Sequence, residues 1–375
     1  MRRFAVWTGV ALLLPGAASA ACVETVQIPS PSMKREIPAT VVLPDGYADS
    51  NRLYPVVYML HGAGGSHATY PDLEVVRRHA DRDGFVVVCP DGGKTGWWLD
   101  SPEDSAFRYE THVVREVMPF VERRYRIAAD KAYRAIAGGS MGGHGAAYIA
   151  IRHRALFGSL GIVFGGVDLR PFPDGWDIAK RLGRLADHPD RWRENSVVTL
   201  AEGLKDGELD IHSIVGTSDF FLKVNRDLHE VLTRNRVRHT YVEYRGEDEA
   251  HSSHNRDFAV IAYERVLSRF AARFALAGWP GEPVKVRCES RIGREGYGAY
   301  NWWLERLNAR RRLVRDAGGA FDVVFFGDSI THNFGPRPEK REPAPGEASW
   351  RQLTNEFSVL NCGYSGDGYQ HVLWR

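Results

Sequence analysis

The run Gly138-Gly139-Ser140-Met141-Gly142-Gly143 constrains this chain more than any other segment. It follows the apolar stretch Tyr133-Arg134-Ala135-Ile136-Ala137 and precedes a helix-like stretch, Gly145 to Arg152. A serine in Gly-x-Ser-x-Gly between a strand and a helix sits at the tip of a tight, strained turn whose close neighbours have no room for side chains. Its hydroxyl points outward, and the following helix N-terminus stabilises negative charge that develops nearby. A Gly-rich packing turn meets the same pattern, so the segment needs partners before it implies chemistry.

The surrounding pattern is α/β. From Val23 onward, strand-like and helix-like runs alternate. Pro38 to Pro44 reads as an early strand, and Tyr54 to Leu60 is continuously apolar, as a central strand buried on both faces must be. Leu73 to Arg82 reads as a helix, Phe85 to Cys89 as a strand, and Tyr109 to Tyr125 as an amphipathic helix. Leu160 to Phe164, Ile211 to Val215 and Thr240 to Tyr244 read as later strands, with Phe258 to Phe274 as the closing helix. Breakers between Leu276 and Pro283 mark a linker, assigned to 277–296, and a second unit begins near Tyr297.

With 375 residues there is room for two domains. A net charge of +2 gives no reason to propose a nucleic acid or an anionic membrane as partner. Arg2 and Arg3, the apolar stretch Phe4 to Leu14 and the small residues up to Ala20 read as a signal peptide. Cleavage after Ala20 and a secreted or periplasmic location are expected; the apolar run is too short to span a bilayer. The four cysteines, Cys22, Cys89, Cys288 and Cys362, match no metal spacing, and no metal or other cofactor is expected. Cys89, at the end of an apolar strand, reads as a buried small hydrophobe.

A nucleophilic serine needs an oxyanion hole, a base and an orienting acid. The first candidate is His61-Gly62-Ala63-Gly64-Gly65, directly after the strand ending at Leu60; the Ala63 and Met141 N–H groups are the candidate donors. Asp219, after the strand through Val215, is the candidate acid. Two histidines, His251 and His254, compete as base. His254 is preferred because it stands immediately before the last helix, with Phe258 one turn further on. The candidates stand in the order that a serine elbow between strand and helix demands: serine, then acid, then histidine.

Taken together, these segments resemble the putative-esterase branch of the α/β-hydrolases from about Val23 to Phe274. Also similar are Pro90-Asp91-Gly92-Gly93, Asp100-Ser101-Pro102, Tyr109-Glu110, Trp192-Arg193-Glu194-Asn195-Ser196 and Ser253-His254-Asn255-Arg256-Asp257-Phe258. That branch holds carboxylesterases, feruloyl and acetyl-xylan esterases, S-formylglutathione hydrolase and mycolyltransferases. The resemblance implies an α/β-hydrolase fold with a central, mostly parallel sheet over 21–276. It also sets the loop carrying Trp97 and Trp98 beside the acyl pocket, so that Trp97, Trp98 and His61 become candidate substrate-binding residues. Packing under the loop accounts for the tryptophans equally well.

A different motif occupies 297–375. Phe321 to Phe326 reads as a strand leading to Gly327-Asp328-Ser329-Ile330-Thr331. With Asn361-Cys362-Gly363-Tyr364-Ser365-Gly366-Asp367, it resembles the flavodoxin-like SGNH (GDSL-type) hydrolases of the platelet-activating-factor acetylhydrolase-like branch. The resemblance makes Ser329 a nucleophile, with Gly363 or Gly366 in its oxyanion hole. The family's later Asp-x-x-His segment does not occur before Arg375, so this segment is expected to be an incomplete, inactive domain.

The functional expectation is an exported serine carboxylesterase acting on a small-molecule or polysaccharide-linked ester, with acetyl or feruloyl esters of plant cell walls as the candidate class. Alternatives are an acyltransferase of the mycolyltransferase type and a non-catalytic carbohydrate-binding module. The oligomeric state is not legible.

Overall fold

A computed structural model of the chain describes residues 21–245, 252–279, 323–325 and 359–361. Residues 1–20, the expected signal peptide, and His251, Ser329, Gly363, Gly366, Cys288 and Cys362 lie outside the described residues. The chain divides into two units, Met1–Pro283 and Val284–Arg375.

In the first unit, eight strands form one sheet in the order β1-β2-β4-β3-β5-β6-β7-β8. They are β1 (Cys22–Ser30), β2 (Arg35–Leu43), β3 (Val56–Leu60), β4 (Val86–Pro90), β5 (Arg134–Gly139), β6 (Ser159–Val163), β7 (Asp210–Gly216) and β8 (His239–Tyr244). Only β2 runs against its neighbours; every pairing from β4 across to β8 is parallel. Strands β3 to β6 are buried along their whole length, as their apolar sequences require. Sequence reading finds no strand over Cys22–Ser30. This edge strand turns Val26, Ile28 and Ser30 inward and mostly polar residues outward, an alternation too short of apolar residues to stand out.

Helices cover both faces. Helix α1 (Glu74–Asp83) and helix α9 (Arg256–Leu276) pack Val75, Val76, Ala80, Phe258, Val266 and Phe270 on one face. The other face carries α2 (Tyr109–Thr111), α3 (Met118–Arg124), α4 (Met141–Arg152), α5 (Ile178–Leu182), α6 (Pro189–Glu194), α7 (Val197–Leu200) and α8 (Leu222–Arg234). The helix expected over Tyr109 to Tyr125 is not continuous. A π-helical turn, His112–Val117, separates α2 from α3. Pro119 is the cause, since it lacks the N–H that an α-helical path through it would use. Cys89 is a buried free thiol, and burial raises its pKa.

In the second unit, β9 (Val323–Phe325) and β10 (Val359–Asn361) pair in parallel.

Candidate active site

Ser140 stands between β5 and α4 with φ 59° and ψ −124°. This is a left-handed conformation that costs a non-glycine residue about 1–3 kcal/mol and is found where function requires it. The glycines around it are explained by distance. A Cβ on Gly142 would lie 1.7 Å from the Leu60 carbonyl oxygen, and one on Gly138 would lie 2.2 Å from the Gly142 oxygen. Neither position admits a side chain, because β3 and β5 pair directly, Leu60 opposite Gly138.

The loop after β3 reaches the same spot. A Cβ on Gly62 would sit 3.2 Å from Ser140 Cβ and 3.8 Å from its Oγ. The chain leaves β3 toward β4 on one side and leaves β5 toward β6 on the other, so a crevice opens between the ends of β3 and β5. Ala63 and Met141 follow those two strands. Among the described residues, neither the Ala63 N–H nor the Met141 N–H donates to a protein acceptor, whereas Gly64 N–H bonds Lys94 O at 2.8 Å.

His254 and Asp219 meet across 35 residues, Nδ1 to Oδ2, at 2.9 Å. The Asp219 side chain is fully buried, and its other oxygen accepts the Phe221 N–H at 2.7 Å. A carboxylate only accepts, so His254 Nδ1 carries the proton and Nε2 is left as the acceptor. Local structure fixes both residues. Asn255 caps α9 by accepting the Phe258 N–H, which sets His254 just ahead of the helix. Ser218 N–H bonds Ser252 O at 3.0 Å, tying the acid loop to the histidine loop.

His61, Trp97 and Trp98 do not line an open pocket: they are 1%, 1% and 0% exposed. The expectation of substrate contact is corrected by their partners. Trp98 donates its indole N–H to His61 O at 3.1 Å, and its ring fills the space left by Gly92 and Gly145. Trp97 donates to Trp176 O at 3.0 Å. His61 Nδ1 faces Gly62 O at 2.9 Å and Nε2 accepts the Gly92 N–H at 2.9 Å, so the ring braces the Gly62–Gly65 turn from within. Burial lowers the His61 pKa, which keeps the ring neutral and able to accept.

Sequence reasoning missed the aromatic frame of His254. Phe164, Phe220 and Phe221 lie 4.4, 4.3 and 5.5 Å from its ring. Phe220 and Phe221 directly follow Asp219, and that adjacency was the available signal. Tyr70 was also missed. Its hydroxyl accepts the Gly139 N–H at 2.9 Å and donates to Leu60 O at 3.0 Å, joining the ends of β3 and β5. Among the described residues, no group of three or more His, Cys, Asp or Glu could hold a metal ion, and no helix is long and apolar enough to cross a membrane.

A mostly parallel sheet with a strained serine turn at the end of a central strand defines an α/β-hydrolase-like protein. The chain belongs to the putative esterase family, whose model matches residues 30–267. An esterase of Mycobacterium tuberculosis is 36% identical over 135 residues, 35% of this chain and 29% of the relative. An endo-1,4-beta-xylanase/feruloyl esterase of Xylanibacter ruminicola is 31% identical over 140 residues, 34% of this chain and 19% of the relative. The match thus spans under a third of these curated relatives' length. Among solved structures, a ferulic acid esterase aligns with a TM-score of 0.58 at 24% identity, over 68% of this chain and 100% of that one. An S-formylglutathione hydrolase from Agrobacterium tumefaciens gives 0.58 at 24%, over 70% and 98%. These likenesses establish the fold, and with the family they support an ester-hydrolysing enzyme.

Proposed function

We propose that the first unit is an exported serine carboxylesterase working through Ser140, His254 and Asp219. Ser140 Oγ attacks the ester carbonyl carbon while His254 Nε2 takes the hydroxyl proton. The Ala63 and Met141 N–H groups hold the oxyanion. The ester C–O bond then breaks, and His254 returns the proton to the leaving alcohol. Water attacks the acyl-enzyme with the same base, releasing the acid and restoring Ser140. Asp219 orients the imidazole and stabilises its charged form. The observation that carries this reading is the buried Asp219 carboxylate 2.9 Å from His254, in a unit whose Ser140 is held at φ 59°.

Acetyl or feruloyl esters of plant polysaccharide are the proposed substrate class. A relative whose name joins xylanase and feruloyl esterase supports it, as does the signal-peptide-like pattern of residues 1–20. Residues 297–375 are proposed as an SGNH-type segment with Ser329 in the nucleophile position.

Fluorophosphonate titration with peptide mapping tests the assignment. Ser140 should be the labelled residue, and Ser140→Ala should abolish hydrolysis with an unchanged circular dichroism spectrum. Unchanged turnover in that variant overturns the reading, and labelling at Ser329 moves the activity to the second unit. His254→Ala should be inactive while His251→Ala keeps most activity; the reverse result makes His251 the base.

A further inference from the structure

Six large apolar side chains are exposed among the described residues, and two of them meet beside His254. Trp176 is 39% and Phe220 51% exposed, and their rings stack at 5.6 Å with 19° between planes. The other aromatic neighbours of the histidine, Phe164 and Phe221, are buried. Phe220 is therefore the solvent-side wall of His254, and Trp176 extends that wall.

The backbone under Trp176 is strained. Trp176 and Asp177 have φ 44° and 58°, two consecutive non-glycine residues in the left-handed region. Such backbone is costly for a side chain and persists only when its surroundings hold it. Here the Trp176 carbonyl accepts the Trp97 indole N–H, while Asp177 accepts from Thr95 Oγ1 at 3.2 Å and pairs with Lys180 at 3.0 Å. The buried Trp97 thus serves as the foundation of an exposed Trp176. Strain that turns a tryptophan toward water gains little burial, and ligand clamps are where such strain collects.

We infer that Trp176 and Phe220 form a platform for the alcohol part of the ester, and that the group it takes is a neutral sugar ring. The inference rests on the reading of Ser140 and His254 proposed above. His254 must come within about 3 Å of the leaving oxygen to protonate it. The group attached to that oxygen therefore passes over the rings bordering the histidine. A sugar ring presents C–H groups on its face, which meet the negative face of an aromatic ring, and keeps its hydroxyls in water at the platform edge. A flat, half-exposed pair of rings suits that ligand. An apolar acyl chain gains from full burial and is poorly served by it. By microscopic reversibility, the same platform would seat a sugar hydroxyl that attacks the acyl-enzyme in place of water.

The test compares two esters with one acyl group, a feruloylated arabinose and methyl ferulate, or acetyl-xylose and methyl acetate if only acetyl is turned over. Trp176→Ala should lower kcat/KM for the sugar ester about tenfold and leave the methyl ester within about twofold, whereas Phe220→Ala, which also uncovers His254, should lower both and the sugar ester several-fold more. Trp176→Phe and Phe220→Tyr should restore most of the loss. Hydrolysis of the preformed acyl-enzyme should not change, because the alcohol has already left. Equal losses on both esters would mean that the rings only hold His254, and a wild type that prefers the methyl ester also overturns the inference. Fluorophosphonate labelling of Ser140 in every variant separates the outcomes: loss of labelling in the wild type defeats the catalytic reading itself, whereas retained labelling with no sugar effect defeats the platform alone.

Discussion

His61 shows what one buried ring does for the candidate oxyanion turn. It donates to Gly62 O through Nδ1 and accepts from Gly92 N–H through Nε2, a pattern open only to the neutral imidazole. Burial lowers its pKa; the bond to Gly62 opposes this without prevailing. The folded pKa is thus below the ordinary 6.5, and as pH falls the unfolded chain takes the proton first. His61 therefore contributes stability that is complete above pH 6.5 and declines below it, until the folded ring itself titrates. Between pH 6.5 and 5.5 this contribution should therefore fall. Urea unfolding of wild type and His61→Gln at both pH values isolates it. The variant should lose less stability on acidification, and equal losses would show that His61 does not titrate with folding. His61→Gln should also lower kcat, since the turn carrying Ala63 loses a brace.

At the scale of elements, β3 and β5 are joined by side chains as well as by their ladder. Tyr70, ahead of α1, puts its hydroxyl between Leu60 O and Gly139 N–H and accepts from Tyr263 of α9 at 2.6 Å. Tyr70→Phe strands a buried carbonyl and a buried N–H at the two strand ends that position the candidate site. A cost of about 2–4 kcal/mol is expected, from the desolvation penalty of each orphaned group. Tyr263→Phe removes one donor and leaves Tyr70 bonded to both strands, so about 1 kcal/mol is expected. Each kcal/mol should lower Tm by roughly 2–4 °C in a unit of this size, so thermal melts of the two variants distinguish them. Equal shifts would show that the Tyr70 hydroxyl is not the junction. Neither tyrosine stood out in the sequence, because an isolated tyrosine in a loop or on an amphipathic helix gives no sign of where its hydroxyl ends.

For the whole molecule, Ser140, Asp219, His254, Ala63 and Met141 all belong to the unit Met1–Pro283. A chain ending at Pro283 should keep Ser140 labelling and a kcat/KM within about twofold of the full chain, provided the first unit carries its own catalysis. Loss of activity with labelling intact would give residues 284–375 a part in substrate binding. The elements most legible in advance were the unbroken apolar strands Val56–Leu60 and Val86–Pro90, together with the serine turn. The sequence by itself determined the serine turn and the central strands, because a strained serine between glycines and a doubly buried strand are set by sterics and burial within a few residues. The order of serine, Asp219 and His254 was readable for the same reason, each standing at the end of a recognisable element. Only the tertiary structure decided that His254 meets Asp219, that Trp97 and Trp98 turn inward, and that Trp176 and Phe220 face solvent beside the histidine. Those outcomes depend on which groups arrive from distant parts of the chain. An indole is buried when a carbonyl such as His61 O waits for its N–H, and exposed when its neighbours leave one face open.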